Sequence, residues 1–268
     1  QNGDHPRYFA SVPSPSSYAS ILGEWLGTGF NAIATSWGGG SGTTAVELIV
    51  IDWLKQLLGL PETHEGVLLS GGSMANITAF SVARNQKGIG RVYYNDQMHS
   101  SLQRGLRELG FGEDNLCQID SDNLFKMPVD VLRDSIERDL SNNLQPMMVI
   151  ATAGTTNTGG VDPLHAIADL CEQHNLWFHV DGAYGLPSAI TKQGHDYLDG
   201  FSRADSLVLD PHKWFFQPYE SGCLLVKHQG ALQACFDMNP EYLKDVQAQN
   251  GEVDMRNRSL ELTRSARG

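Results

Sequence analysis

The sequence has few cysteines, few basic residues and no long apolar segment. Its 19 lysine and arginine residues face 31 aspartate and glutamate residues, and the formal net charge of −12 argues against nucleic acid or an anionic membrane as a partner. The four cysteines are scattered without a CxxC pair, so we expect reduced thiols and a cytoplasmic protein. No apolar run approaches the length of a membrane span, and the N-terminus lacks a signal-peptide pattern.

Several nucleotide and metal motifs are also missing. No HExxH pattern or cysteine and histidine ligand set predicts a metal, and neither a Walker loop nor a GxGxxG pattern is present. The composition, with 41% hydrophobic and 19% charged residues over 268 positions, is that of an ordinary globular protein with enough length for a core. An acidic chain of this kind must hold any phosphate through local groups.

Strands and helices alternate along most of the chain. Residues 1–45 are rich in glycine, proline and serine and predict loops and short helices. The apolar pattern then predicts a helix over 44–58, followed by strands at 67–69, 91–94, 116–119, 147–151, 177–180, 206–209 and 223–226, with helices from 73, 100, 129 and 164. Helices between strands favour an α/β fold with a mainly parallel sheet covered on both faces.

Three regions follow from this pattern. We predict an N-terminal segment of loops and a helix over 1–60, a large α/β domain over 61–240, and a further segment over 241–268. Ligands of such sheets bind at the carboxyl ends of the strands. Chemically useful residues at strand ends therefore carry the functional prediction.

Lys213 follows a short apolar strand by four residues and lies beside His212 among aromatic residues. Desolvation disfavours the ammonium form, and a neutral amine is what Schiff-base chemistry with a carbonyl requires. The ordinary alternative is a lysine whose stem packs on Trp214 while its amine reaches water.

A glycine-rich turn, Ser70-Gly71-Gly72-Ser73, joins the strand at 67–69 to a helix. Glycine lets the backbone approach a ligand closely, Ser73 can cap the helix, and the free N–H groups of a helix N-terminus suit a phosphate. The alternatives are an ordinary capped turn and a nucleophile elbow of a serine hydrolase, since Gly-Gly-Ser-Met-Ala nearly fits GxSxG around Ser73.

Asp181 ends an apolar strand and is followed by Gly182 and Ala183. A buried carboxylate needs a partner, and the protonated ring nitrogen of pyridoxal phosphate would provide one, while the small residues could let a flat ring lie against the chain. The alternative is a structural aspartate in a turn. His179 shares a strand face with Asp181, but one such pair is a weak basis for a metal site.

Two further strand ends carry His99 and the hydroxyl-rich loop around Thr156. His99 could stack on a cofactor ring or cap the next helix, and Thr156 could bond a ring hydroxyl or simply form a turn. Each pattern has an ordinary explanation, but their combination in this order at strand ends does not arise easily by chance. A hydrolase would have no use for the lysine.

Together these segments resemble the group II pyridoxal-phosphate-dependent amino-acid decarboxylases, in particular the aromatic-L-amino-acid decarboxylases and their bacterial relatives. The matching segments cover nearly the whole chain: HPRYFASVPSPSSY, ELIVIDWLKQLLGLP, GVLLSGGSMAN, DQMHSS, ATAGTTNTGGVDPL, LWFHVDGAYG, ADSLVLDPHKW and EYLKD. The resemblance implies the fold type I (aspartate-aminotransferase) large domain, pyridoxal 5'-phosphate as cofactor, and an obligate homodimer with shared active sites. It also implies decarboxylation of an L-amino acid, with aromatic substrates (tryptophan, tyrosine or DOPA) preferred. By the same resemblance, residues 1–60 would contact the second subunit, 61–240 would bind the cofactor, and 241–268 would form a catalytic loop that leads to a small C-terminal domain.

The resemblance also assigns roles by position. Lys213 would be the Schiff-base lysine and Asp181 the partner of the ring nitrogen. His99 and Ala183 would contact the two ring faces. The remaining predicted cofactor residues are Gly72, Ser73 and His212 at the phosphate and Thr156 near the ring or the substrate.

Two positions depart from the family pattern, and relatives continue well past the position of Gly268. Met255 aligns where many aromatic decarboxylases have a catalytic loop tyrosine, and Thr35 aligns where aromatic-acting relatives often have a ring. A decarboxylase of glutamate or 2,4-diaminobutyrate, a decarboxylating aldehyde synthase and a non-catalytic dimerising relative therefore stay open as alternatives.

Overall fold

The computed structural model describes residues 5, 12, 14–238 and 252–264. The elements of the first half are α1 (Tyr18–Phe30), α2 (Trp37–Leu57), β1 (Glu65–Leu69), α3 (Gly72–Lys87), β2 (Arg91–Asn95), α4 (Ser100–Glu108), β3 (Leu116–Ile119), α5 (Val129–Ser141) and β4 (Pro146–Thr152). The second half contains α6 (Leu164–His174), β5 (Trp177–Asp181), α7 (Lys192–Tyr197), β6 (Ser206–Leu209), α8 (Pro211–Trp214), β7 (Gly222–Val226) and α9 (Ala231–Phe236). Residues 239–251 and 265–268, which include part of the region predicted over 241–268, lie outside this description.

The strands form a seven-stranded sheet in the order β1-β7-β6-β5-β4-β2-β3. The pairs β2–β3, β2–β4, β4–β5 and β5–β6 are parallel, as the alternation of strands and helices predicts. β7 is antiparallel to both β6 and β1. The mainly parallel α/β sheet is therefore confirmed, and the direction of β7 is an addition that the sequence pattern did not reveal.

Burial on both faces explains why the central strands consist mostly of apolar residues. Every residue of β5, β6 and β7 is buried. Side chains of successive residues point to opposite faces, so a strand without a polar face must be covered on both sides by helices. The helices that pack on the sheet include α3 against β7 and β6, and α6 against β4 and β5.

The N-terminal segment is more helical than its composition predicts. α1 covers Tyr18–Phe30, and Ser17 caps it by accepting a hydrogen bond from the Ser20 amide. α2 begins at Trp37 rather than near Thr44, although Gly40 departs from helical geometry with φ −161° and ψ 54°. The prediction of loops and short helices over 1–45 is therefore confirmed in part. The start of α2 was predicted too late, because glycines that weaken a helix need not end one when its remaining turns pack on the sheet.

The described C-terminal residues return to the body of the protein. Asp254 accepts a hydrogen bond from the Trp37 amide at 2.9 Å, and the buried Arg264 pairs with Glu47 at 2.6 Å. Met255 begins a short 3₁₀ helix and is fully buried in the core. Over residues 5, 12, 14–238 and 252–264, no helix is both long and apolar enough to cross a membrane.

Candidate active site

A cavity of about 280 Å³ lies at the edge of the sheet where β4, β5 and β6 end. Thr152 is the last residue of β4, Asp181 the last of β5, and Asp210 follows β6 directly. All eight residues predicted from the sequence line this cavity: Gly72, Ser73, His99, Thr156, Asp181, Ala183, His212 and Lys213. The topology therefore joins residues that are up to 141 positions apart, from Gly72 to Lys213, in one site.

The glycine turn shapes one wall of the cavity. Gly71 is the N-cap of α3 and has φ +87°, a conformation that residues with a Cβ rarely adopt. No side chain caps this helix, and its first residue is Gly72. The prediction that Ser73 caps the helix was therefore wrong: Ser73 lies inside the first turn, exposed at the cavity. The uncapped N–H groups and the positive end of the helix dipole remain available for an anion.

Lys213 reaches the cavity from α8, one turn after β6 ends. Its amine lies 3.0 Å from Oδ2 of Asp210, a carboxylate whose side chain is only 4% exposed. The hydroxyl of Ser14 donates a hydrogen bond to the Lys213 carbonyl, so the N-terminal segment fixes the backbone at this point. The structure thus pairs the amine rather than leaving it free in water.

Asp181 is buried, and its Oδ1 accepts a hydrogen bond from the Ala183 amide at 3.1 Å. Ala183 lines the cavity, but Gly182 does not: a Cβ on Gly182 would lie 2.4 Å from the Leu186 side chain. The prediction that Gly182 makes room for a flat ring was therefore wrong, because this glycine serves the packing behind the site. Ala183 keeps its predicted position.

His179 is a structural residue two positions before Asp181. Its ring is fully buried, with Nδ1 2.8 Å from Ser206 Oγ and Nε2 2.8 Å from Asn76 Oδ1. Burial lowers the pKa of His179 to about 3, so the ring is neutral at ordinary pH. Both nitrogens are occupied by protein partners.

His99 both caps α4 and lines the cavity. Its Nδ1 is 3.3 Å from the Ser101 amide and 2.7 Å from the Ser101 hydroxyl. The cap and the ring-stacking interpretations of His99 are therefore compatible, since the hydrogen bonds at Nδ1 orient the ring.

Thr156 lies in an exposed loop at the cavity wall. The hydroxyl of neighbouring Thr155 accepts a hydrogen bond from the Gly160 amide at 3.0 Å, which stabilises that loop.

Behind this loop, Asp162 accepts three hydrogen bonds. They come from the Met127 amide at 2.7 Å, the Thr152 amide at 2.8 Å and the Asn95 side chain at 3.2 Å. Burial raises the pKa of Asp162 to about 6 despite these donors, which act in the opposite direction. Asp162 ties β2 and β4 together at the cavity edge without lining the cavity.

His212 lines the cavity between Asp210 and Tyr219. Its Nδ1 is 2.6 Å from the Ser221 carbonyl, and its ring meets Tyr219 edge to face at 4.5 Å. Burial lowers the pKa of His212, so its neutral form is favoured. The Ser221 amide nitrogen also lies 3.1 Å from Nδ1, so both backbone groups of Ser221 face this nitrogen. Nε2 lies 3.7 Å from Oδ2 of Asp210.

Sequence reasoning missed Asp210 and Tyr219, which also line the cavity. Asp210 could have been found, because an aspartate between an apolar strand and Pro211 must be buried and needs a cation. Tyr219 carries no comparable signal. It reaches the site through the fold of the loop between α8 and β7.

The geometry does not support a serine hydrolase. In the described part of the chain, no histidine hydrogen-bonds the Ser73 hydroxyl, so the nucleophile and base relay of such enzymes is missing. Within the same residues, no three histidine, cysteine, aspartate or glutamate side chains are grouped closely enough to hold a metal ion.

Comparisons with known proteins give a consistent picture. The family described as "Pyridoxal-dependent decarboxylase conserved domain" matches residues 1–268. The chain is 43% identical to an aromatic-L-amino-acid decarboxylase of Bacillus atrophaeus over 98% of this chain and 56% of that protein. It is 34% identical to a phenylacetaldehyde synthase of Arabidopsis thaliana over 98% of this chain and 57% of the relative.

A solved structure shows the same architecture. The tryptophan decarboxylase of Catharanthus roseus in complex with L-tryptophan matches with a TM-score of 0.89 at 30% identity, covering 99% of this chain and 58% of that one. The chain thus spans a little over half the length of the relatives it matches.

Proposed function

Because the chain belongs to the pyridoxal-dependent decarboxylase family, we propose that it carries the cofactor and catalytic residues of an enzyme that decarboxylates an aromatic L-amino acid. The observation that carries the proposal is the convergence of Lys213, Asp181 and the Gly72 turn on one cavity. These groups offer an amine, a carboxylate and a helix N-terminus, which match the aldehyde, the ring nitrogen and the phosphate of pyridoxal 5'-phosphate.

The local structure fits this cofactor. Gly71 requires a positive φ and α3 has no side-chain cap, so the turn leaves backbone N–H groups for a phosphate. Ser73 adds a hydroxyl in the same turn. The residues that would hold the cofactor are therefore Gly72, Ser73, His212, Lys213, Asp181, His99, Ala183 and Thr156.

The bound cofactor supplies an electron sink for the electrons released when the carboxyl group leaves as carbon dioxide. Asp181 would hold a proton on the ring nitrogen of the bound cofactor, since a buried carboxylate favours a cationic partner. Lys213 would attach the cofactor aldehyde through its amine. His99, oriented by Ser101, would contact one ring face, and Ala183 would limit the space on the other.

The substrate class rests on the relatives. Proteins at 43% and 30% identity are named as decarboxylases of aromatic amino acids, and one of them was solved with L-tryptophan. Thr35 lies outside the cavity formed by the described residues of a single chain, so it gives no argument against an aromatic substrate.

The product is proposed to be the amine. The similarity to a phenylacetaldehyde synthase keeps aldehyde formation as the second candidate. Met255 was expected to replace a catalytic loop tyrosine, but it is buried in the core and does not line the cavity. In this conformation of the chain, a side chain at position 255 is therefore not placed to deliver a proton.

We also propose a homodimer. α1 and α2 expose large apolar side chains, including Trp25 at 68%, Phe30 at 81% and Trp53 at 60%. A cavity of about 620 Å³ between these helices is lined by Leu26, Phe30, Val46 and Val50. Apolar surface on this scale is typical of an interface between subunits.

The dimer is tested by light scattering on the protein and on a Trp25→Glu/Phe30→Glu variant. We expect a dimer for the parent and a monomer for the variant. Ile89 is exposed on a loop away from α1 and α2, so Ile89→Glu serves as a matched control that stays dimeric. A parent protein that is monomeric at micromolar concentration would contradict the dimer without affecting the assignment of the cofactor site.

The activity is tested by release of carbon dioxide from L-tryptophan, L-tyrosine and L-DOPA, with L-glutamate and L-2,4-diaminobutyrate as comparisons. We expect release from at least one aromatic substrate that depends on added pyridoxal phosphate. The amine-to-aldehyde ratio, measured in air on the same samples, separates the two product classes. Release only from the non-aromatic amino acids would overturn the substrate class.

A further inference from the structure

Of the two carboxylates among the described residues that line the cavity, Asp181 and Asp210, the proposed function leaves Asp210 without a role. It follows β6 directly, and its side chain is 4% exposed. Oδ2 lies 3.0 Å from the Lys213 amine, whereas Oδ1 is buried without a hydrogen-bond partner among the described residues. A buried carboxylate normally has donors on both oxygens, so this half-satisfied state requires an explanation.

The position of this carboxylate makes its charge a problem for cofactor binding. A Cβ on Gly72 would lie 2.7 Å from Oδ2 and 2.9 Å from Oδ1 of Asp210. The carboxylate therefore sits against the first residue of α3, at the helix end proposed to bind the phosphate. Two negative groups at one buried turn repel each other strongly, because the low dielectric of the interior screens them poorly.

We propose that Asp210 accepts a proton from the Lys213 ammonium when the cofactor enters, so that one proton transfer both frees the amine and removes the negative charge beside the phosphate. The inference rests on the proposed function. In this step an N–H bond of Lys213 breaks, its electron pair stays on nitrogen, and the proton bonds to Oδ2. The pair is neutral overall before and after the transfer, as ammonium with carboxylate and then as amine with carboxylic acid.

The surroundings of Asp210 favour this exchange. The titratable groups that face it are Lys213 and His212 from α8, Asp181 from β5, His99 from the start of α4, and Cys223 from β7. Burial raises the pKa of Asp210 to about 6; Asp181 acts in the same direction, whereas Lys213 and His99 lower it. A carboxylate with a raised pKa is a stronger base than an exposed one.

This role predicts a specific pH dependence for cofactor loading. Above about pH 6, Asp210 is ionised and the proton moves within the pair, so the loading rate does not depend on pH. Below that pH, Asp210 already carries a proton and cannot accept another. The loading rate should therefore fall about tenfold for each further pH unit, as for loss of a single general base.

The first experiment needs no variant. The apo-protein is mixed with pyridoxal, which lacks the phosphate and its own titration near pH 6, and the visible absorbance of the covalently bound cofactor is followed from pH 5 to 8. A plateau with a fall below about pH 6 supports the proposal. A rate that rises steadily through this range overturns it.

The second experiment compares Asp210→Asn with a matched control, Asp162→Asn. Asp162 is also buried, and its pKa is also about 6, but it lies outside the cavity. For Asp210→Asn we expect loading at pH 7 to slow by about 10²-fold, the lower end of the range for general bases, and the plateau to disappear. Asp162→Asn should keep the plateau. If the pH profile of Asp210→Asn matches that of the parent, the proposal is overturned. Loading that is faster than the parent's at every pH also overturns it, because Asp210 would then only repel the cofactor.

These experiments also separate the inference from the proposed function. If the parent protein forms no borohydride-reducible link at Lys213 with pyridoxal or pyridoxal phosphate, the proposed function fails and the inference with it. If the link forms normally but the pH profile lacks its plateau, only the role of Asp210 is wrong.

Discussion

Asp162 and Asp210 are both buried carboxylates beside the same sheet edge, and burial raises the pKa of each to about 6. Their partners differ completely. Asp162 accepts hydrogen bonds from two backbone amides and one side-chain amide, whereas Asp210 has the Lys213 amine on one oxygen and no described partner on the other. Asp162 is therefore fixed by hydrogen bonds to the fold, whereas Asp210 has an oxygen available to exchange a proton.

The comparison shows that burial and a shifted pKa do not by themselves identify a catalytic group. The same contrast separates His179 from Asp181 on β5: the histidine is bound at both nitrogens, while the aspartate lines the cavity. Hydrogen bonds that saturate a buried group make it structural, and a buried group with spare capacity at a cavity is available for chemistry.

The largest expected effect follows from removing the carboxylate at the end of β5. Asp181→Asn keeps an oxygen for the Ala183 amide but cannot hold a proton on the ring nitrogen. We expect kcat to fall about 10²–10⁴-fold, which is about 3–5 kcal/mol of transition-state stabilisation, while the fold is unchanged. Steady-state kinetics with circular dichroism checks this. Wild-type turnover would mean that the electron sink depends on another residue.

The two carboxylates should also differ in their effect on stability. Asp162→Asn turns one acceptor oxygen into a donor that faces N–H groups, so we expect the free energy of unfolding to fall by about 1–3 kcal/mol. Asp210→Asn removes a carboxylate in which one oxygen has no described partner, so we expect a smaller decrease in the free energy of unfolding. Urea unfolding of both variants measures the difference. An equal loss, or a larger one for Asp210→Asn, would remove the distinction between a locked and an available carboxylate.

A variant at Met255 tests whether this position belongs to a catalytic loop, as the family resemblance suggests, or to the core. The alignment suggests a loop position for a catalytic tyrosine, whereas the structure gives a fully buried core residue. Met255→Tyr should therefore overpack the core and cost about 1–3 kcal/mol, with no change in the amine-to-aldehyde ratio. If the variant is as stable as the parent and makes a larger fraction of amine, position 255 reaches the site and the alignment is right.

The smallest expected effect concerns the locked histidine. Burial lowers the pKa of His179 from 6.5 to about 3, so between these values only the unfolded chain binds the proton. This contribution to stability is present above about pH 6.5 and is lost as pH falls toward 3. Between pH 7.5 and 5.5, the parent should lose about 1.4 kcal/mol more than His179→Gln, the equivalent of one pKa unit. Equal losses in urea titrations would show that the ring is protonated in the folded protein.

Much of the sheet could be predicted because its strands are continuous apolar runs between turn residues. β3 and β6 have the predicted bounds, and α6 begins at the predicted residue, Leu164. The antiparallel direction of β7 was missed, although the connection from β6 contains only the four-residue α8 and lacks the long helical crossover that a parallel pair needs. α1 was missed because its apolar residues face outward, so its pattern does not point to this chain's core.

The candidate site was predictable where the residue type itself is unusual for its position. A lysine among aromatics, an aspartate at the end of an apolar strand and a double glycine before a helix all indicate chemistry. Asp210 carried a similar signal, an aspartate between an apolar strand and Pro211, and was overlooked. Its distance to Lys213 and its oxygen without a described partner could not be predicted, because they depend on the folded arrangement. Ser73 and Gly182 were given wrong local roles, because capping and packing depend on neighbours distant in sequence.

The central claim is that Lys213 holds the cofactor in the cavity at the ends of β4, β5 and β6. The most direct test is to load the protein with pyridoxal phosphate, reduce it with borohydride and map the labelled peptide by mass spectrometry. Lys55 is a suitable internal comparison, since it is buried but lies outside this cavity. The account predicts one pyridoxyl group per chain, on Lys213, and none in Lys213→Ala. A label on another lysine, or none in the parent, would contradict it.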